Sequence, residues 1–354
     1  MNKVSTGKTL RNAIEADVDS NNGKPATNPR RRFMLQSSAL ALGTLTNISP
    51  AMSQNDLIRV KAFPGAQNLP MWVGLEKGNF SARGLNIELA FTINSDELRA
   101  DIAEGRFDLA HAAADNSVAI REMTGKDSVI LMGGDSSMNE LVVQSDIKTM
   151  QDLRGKSLIV DAPNTAYALQ AKKALSLAGV AESQYQVIVV GGTGLRYQGM
   201  LKNPNYSAST LNPPFSIQAK QAGFRSLGRM VDLVGPYQAS SMFSMRKWVD
   251  KNSDKVERYI AAWITSLRWA TDPKNKAEVI EILTRQLKLE PSIINETYKY
   301  LLEPGFGLEK DAKFSEVGFK NLLTIREEIE KSKPLNPIDF VDLSYYNRAI
   351  KLIN

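Results

Sequence analysis

The chain has 354 residues, 43% of them hydrophobic and 23% charged, which suits a soluble globular protein long enough for two cores. Its formal charge of +6 is concentrated at one end: residues 1–53 hold seven Lys or Arg against three Asp or Glu, leaving +2 on the remainder, and no basic face clusters there to serve a nucleic-acid partner. Cysteine is absent and histidine occurs once, which excludes disulfides, thiolate zinc sites, a thiol nucleophile, a lipid-bearing cysteine and a histidine-rich metal centre.

Residues 1–29 are polar, and Pro29-Arg30-Arg31-Arg32-Phe33-Met34-Leu35 then precedes a moderately apolar run over 37–48. Ala51-Met52-Ser53 fits a small-x-small cleavage pattern, so the order predicts an export leader over 1–53 and a mature start at Gln54. The paired arginines followed by Phe33 resemble a twin-arginine signal, an address rather than an anchor. Two alternatives stay open, the general secretory route and a basic tail on a cytoplasmic protein. No later run reaches the roughly 18 apolar residues of a membrane span, so no integral membrane segment is expected once the leader is removed.

From Asp56 onward short apolar runs alternate with amphipathic segments, the pattern of sheets covered by helices. Strands are expected at 57–63, 86–91, 108–112 and 128–132, with helices at 69–77, 95–104 and 115–124; residues 54–143 make the first part of lobe one. Lobe two is expected over 144–234, with a strand at 140–144 leading into it. Its further strands fall at 158–160, 186–190 and 208–211, and its helices at 166–178, 195–201 and 214–222. Gly179 supplies the left-handed cap that ends the first of these helices. Residues 235–354 are assigned to a strand at 240–245 that returns to lobe one and to C-terminal helices at 253–271, 276–287, 292–302, 315–332 and 344–353. Ser253 caps the first of them, and Asp272-Pro273 stops it.

The segment from Leu69-Pro70-Met71-Trp72 to Lys77-Gly78-Asn79-Phe80, continued by Arg83-Gly84-Leu85, is similar to the opening of nitrate, sulfonate and taurine-type (NMT1-like) substrate-binding proteins. Glu104-Gly105-Arg106-Phe107-Asp108, Asp152-Leu153-Arg154-Gly155-Lys156 and Asn212-Pro213-Pro214-Phe215 follow in that family's order, so the resemblance spans 56–252. Each glycine alone marks only a turn with positive φ or a close backbone approach; the ordered set says more. The resemblance implies a type II periplasmic-binding-protein fold: two α/β lobes joined by two crossover strands, with a helical C-terminal segment. It implies a periplasmic, soluble and monomeric receptor without a cofactor, which closes over a small-molecule ligand and delivers it to an ABC importer permease. Sulfonates, nitrate and pyrimidines are the solute classes it suggests. Some relatives act on the thiamin pyrimidine through a cysteine-rich motif, which this chain lacks.

In open α/β sheets ligands lie beyond the C-terminal ends of strands, where helices begin and present unpaired N–H groups. Those ends select Gln67 and Asn68 after the first strand, Asn94 and Ser95 after the second, His111 and Asp115 around the third, Asn164 and Thr165 in lobe two, and Asn212 before its proline pair. Trp72, at the start of its helix, is added as a stacking candidate. Seven of them have a structural role open beside ligand contact: Ser95, Asp115, Asn164 and Thr165 as helix caps, His111 as a bonded core group, Trp72 as core packing, Asn212 as a turn residue. Asp115 in the cleft would favour a cationic or amine-bearing solute. No arginine stands out as a clamp for an anion. Gly191-Gly192-Thr193-Gly194 lacks the third glycine of a nucleotide fingerprint and reads as a turn.

Catalysis is the rival class. One histidine without cysteine leaves no Cys-His pair and no complete Ser-His-Asp signature. The expectation is a non-enzymatic receptor; an enzyme on the same fold, as in cofactor biosynthesis, and a cytoplasmic ligand sensor are the alternatives.

Overall fold

The computed structural model of the protein describes residues 56–354, so the leader expected over 1–53 lies outside the described residues. The chain runs β1 (Leu57–Ala62), α1 (Leu69–Glu76), β2 (Asn86–Phe91), α2 (Ser95–Ala103), β3 (Leu109–Ala113), α3 (Asp115–Thr124) and β4 (Ser128–Met132). It crosses over to β5 (Glu140–Val143), β6 (Ser157–Val160), α4 (Ala166–Leu177), β7 (Gln186–Val189), α5 (Thr193–Lys202), β8 (Ala208–Leu211), α6 (Phe215–Gln221), β9 (Arg225–Arg229) and α7 (Met230–Val234). After the return come β10 (Ser240–Met245), α8 (Arg246–Lys251), α9 (Ser253–Thr271), α10 (Lys276–Leu287), α11 (Pro291–Leu301), α12 (Glu316–Glu330) and α13 (Ser344–Lys351).

Two five-stranded sheets result, ordered β2-β1-β3-β10-β4 and β7-β6-β8-β5-β9. Within each, β1, β2 and β3, or β6, β7 and β8, run parallel, while the strand delivered by a crossing runs antiparallel: β10 in the first sheet, β5 in the second. This is the expected two-lobed α/β arrangement with two crossing strands. At the crossings backbone passes close to backbone: a Cβ added to Gly134 would lie 2.8 Å from the Ser240 carbonyl oxygen, so only glycine fits.

Side-chain alternation explains the layering. In β3, Leu109 faces a cluster with Ile58, Val60, Tyr259 and Trp263, whereas Ala110 and Ala112 face the opposite cluster with Val118, Phe243 and Phe319. α9 covers the first face because Val256, Tyr259, Ile260, Trp263 and Leu267 recur at helical spacing and are all buried. The second sheet alternates likewise, Leu158 and Val160 on one face and Ile159 on the other. Each fully buried Leu, Ile or Val side chain contributes roughly 1.5–3 kcal/mol.

Four elements differ from expectation. β5 hydrogen-bonds to β8 and β9, so the lobe boundary expected after residue 143 belongs before Glu140. β9, α7 and α8 were not expected. Arg225-Ser226-Leu227-Gly228-Arg229 has no alternating apolar face, and pairing with β5 alone makes it a strand. Helix and strand ends otherwise shift by a residue or two.

Candidate ligand-binding site

The chain that follows β1, β2, β6, β7 and β8, together with the end of β3 and both crossings, walls a cavity between the sheets. Its empty volume is about 680 Å³, part of it open to solvent. Lobe one contributes Phe63, Gln67, Ser95 and His111; lobe two contributes Asp161, Thr165, Tyr167, Thr193, Arg196 and Asn212. Asp135 and Met138 on one crossing and Ser240 after the other complete it.

Hydrogen bonds join the lobes around the rim. The backbone N–H of Ser95, at the first turn of α2, donates to the Asp161 carboxylate at 3.0 Å. The Gly192 N–H donates to the Ile93 carbonyl at 2.8 Å, and the Asn212 amide donates to Gln67 Oε1 at 3.3 Å. Beside the cavity a buried clasp completes the contact. Arg326 of α12 donates to Asp115 Oδ1 at 2.8 Å and to the Asn164 carbonyl at 3.2 Å, and pairs with Glu122. Arg99 donates to Asn164 Oδ1 at 3.0 Å and to Asn116 Oδ1 at 2.8 Å.

Burial sets the protonation of the cavity. His111 shares a face with Leu109; its ring stacks on Trp263 with centroids 3.9 Å apart, and Nε2 lies 2.9 Å from the Tyr259 hydroxyl. Loss of solvent pulls its pKa down to about 3, so the imidazole is neutral. Burial pushes the Asp135 carboxyl above its ordinary value, although the Ser137 N–H donates to it at 2.9 Å. Burial lowers the pKa of Arg196, but four donors of its guanidinium are already placed, on Ser209 Oγ (2.9 Å), the Gly191 carbonyl (2.7 Å), Thr193 Oγ1 (3.2 Å) and the Thr210 carbonyl (3.0 Å).

Of the ten residues expected at the site, Gln67, Ser95, His111, Thr165 and Asn212 line the cavity. The other five have different work. Asn68 donates to the Phe63 and Gly65 carbonyls and closes the turn after β1. Trp72 is buried against Ile282, Leu283 and Ile294, because α1 turns that face toward α10 and α11. Asn94 caps α2, accepting from the Glu97 N–H at 2.8 Å. Asp115 is fully buried against Arg326, and Asn164 is held by Arg99 and Arg326; both belong to the clasp.

Residues that sequence reasoning passed over are Asp161, Arg196, Tyr167 and Asp135. Asp161 directly follows β6, so the strand-end rule reaches it, but the candidates after that strand began only at Asn164. Arg196 lies inside α5 and looks like a solvated helix residue until Ser209, Thr210 and Gly191 close around it at 2% exposure. Arg196 thus lines the cavity without being a free clamp for an anion, because four of its donors are bonded within the protein.

In solved structures the same fold recurs at low identity. The ligand-binding component of an ABC-type import system from Staphylococcus aureus, determined with zinc bound, aligns at 12% identity over 83% of this chain and 99% of its own, with a TM-score of 0.69. The periplasmic nitrate-binding protein NrtA from Synechocystis PCC 6803 aligns at 13% identity over 84% of this chain and 89% of its own, with a TM-score of 0.69. A desulfurization enzyme, DSZB, shares the fold at 11% identity over 84% of this chain and 100% of its own, with a TM-score of 0.59. Among curated proteins no sequence matches. The sequence model of the family described as NMT1/THI5 like matches residues 66–277, more than half of the chain and both walls of the cavity, and the protein belongs to that family.

Proposed function

We propose that this protein is an extracytoplasmic receptor that encloses a small organic solute between its lobes and hands it to an ABC-type importer. The observation that carries the reading is the cavity walled by both sheets, with Ser95–Asp161 and Ile93–Gly192 hydrogen bonds across its rim. A solute that touches both walls shifts an open form toward this closed one by its differential affinity for the two. Closure brings surfaces of both lobes into one register for the permease to read. The Arg-Arg-x-Phe-like leader over 1–53 supports export and a soluble product in the periplasm.

DSZB keeps an enzyme as the second reading, but the geometry of His111 favours binding: its ring is stacked and hydrogen-bonded within the wall, and a pKa of about 3 leaves it a weak base near neutral pH. The test is thermal unfolding and small-angle scattering of the protein with a panel of sulfonates, nitrate, pyrimidines, amines and acids. A stabilising solute should shrink the radius of gyration and remain chemically unchanged. Stabilisation without compaction, or turnover of the solute, overturns the receptor reading.

A further inference from the structure

The cavity's hydrogen-bonding capacity is lopsided toward acceptors. Asn212 is 4% exposed, and its Oδ1 has no partner. Its orientation is set by the chain: Gln67 donates its own amide to the Phe63 carbonyl at 3.1 Å, which turns Gln67 Oε1 toward Asn212 and obliges Asn212 to answer with its NH2. The orphaned oxygen is therefore a genuine acceptor, and an unpaired buried acceptor costs stability until something donates to it. Asp161, 6% exposed, accepts only the Ser95 N–H among its hydrogen bonds, which leaves lone pairs on both carboxylate oxygens at the cavity wall. Asp135 adds a second carboxyl.

Donors are scarce by comparison. Of the five N–H groups of Arg196, four are spent on Ser209, Gly191, Thr193 and Thr210. The N-terminus of α2, a natural anion site, is already filled by the chain's own Asp161. A bare oxyanion would have to displace that carboxylate and would offer nothing to Asn212. Asp161 alone offsets the charge of Arg196, and Asp135, whose pKa burial raises, already accepts from the Ser137 N–H, so the wall holds no surplus cation for an anion. The first turn of α4 does face the cavity through Thr165 and Tyr167, so an acceptor elsewhere on the same solute finds N–H groups there.

Resting on the receptor reading above, we propose that the solute is an organic amine: a protonated amino group bonded by Asp161 and Asn212, carried on a compact apolar body that lies against Phe63, Met138 and Tyr167. Such a group satisfies the orphaned oxygen and the free carboxylate lone pairs together, with charge-assisted bonds.

The test is titration calorimetry on the full-length chain with matched pairs, benzylamine against benzenesulfonate and aminomethylbenzoate against benzoate, with nitrate added. An amine-bearing member should bind at least about tenfold tighter than its amine-free partner. Asp161→Asn should weaken it by about tenfold or more, and Asn212→Ala, which leaves the α2 contact untouched, by about fivefold. Nitrate or a sulfonate bound as tightly as the amines overturns the amine assignment and leaves the receptor standing. Amine binding unaltered in both variants overturns it as well. Failure of every compound, with unchanged thermal unfolding, counts against both.

Discussion

Two buried charge clusters bridge the lobes, and they differ in whether their acids are paired with arginines. In the clasp, Arg99 and Arg326 face Asp115 and Glu122, two cations against two acids, and Asn164 accepts from both arginines. Burial works against the Arg326 guanidinium, yet Asp115 and Glu122 outweigh it and hold its pKa above the ordinary value. In the cavity, Arg196 faces Asp135 and Asp161 without an ion pair to either, and Asn212 keeps an empty acceptor. Asp115 Oδ2 also lacks a hydrogen bond but keeps Arg99 at 3.8 Å, so a cluster whose buried acids each face an arginine is architecture, while one whose open acceptors face no cation is shaped for a guest.

The comparison breaks first at Arg326. Replacing it by Met leaves Asp115, at 0% exposure, with only the Arg99 contact at 3.8 Å. Removing one partner of a buried pair costs about 3–5 kcal/mol. Urea unfolding should show a loss of that size, while a loss below about 1 kcal/mol would mean that the clasp is solvated and not a completed unit.

His111 tests the cavity side through pH. Its folded pKa, about 3, lies below the ordinary 6.5, so the folded protein binds fewer protons than the unfolded chain between those values. Stability from this group is full above pH 6.5 and declines as pH falls toward 3, by about 1.4 kcal/mol per unit. Between pH 6.5 and 5 the loss should reach about 2 kcal/mol, and His111→Gln should remove that slope. An identical slope in the variant would show that the imidazole is not buried neutral.

Which cluster was legible in advance follows from how local each residue's role is. Gln67, Ser95, Thr165 and Asn212 sit just after strands whose apolar runs are plain in the sequence, so the strand-end rule finds them. Asp115 and Asn164 obey the same rule but point into the clasp, because Arg326, more than 150 residues away along the chain, captures them. Arg196 was hidden for the converse reason: its helix is legible, but its burial depends on β8 closing from the other side. β9 shows the limit for the fold, since a charged segment with no apolar period becomes a strand only through its partner.

A smaller effect sharpens the role of the clasp. Asn164→Ala removes the side-chain acceptor for Arg99 but keeps the backbone carbonyl that serves Arg326. Global stability should fall by about 1–2 kcal/mol, the cost of one charged hydrogen bond, and ligand-free scattering should show a larger radius of gyration. A stability loss without expansion would place Asn164 in the folding core and not in closure.

The smallest effect is expected where the same two helices meet in water. Lys173 of α4 pairs with Glu328 of α12, two residues beyond Arg326, but its side chain is 22% exposed and that of Glu328 48%. Solvent screens such a pair and ordering two long side chains offsets it, so Lys173→Ala should cost under about 1 kcal/mol and less still in high salt. Chemical denaturation of the single and double variants with Glu328→Ala measures the coupling directly. If the coupling approached that of Arg326 with Asp115, charge across the lobes would matter regardless of burial, and the distinction between a completed interior cluster and a solvated contact would fail.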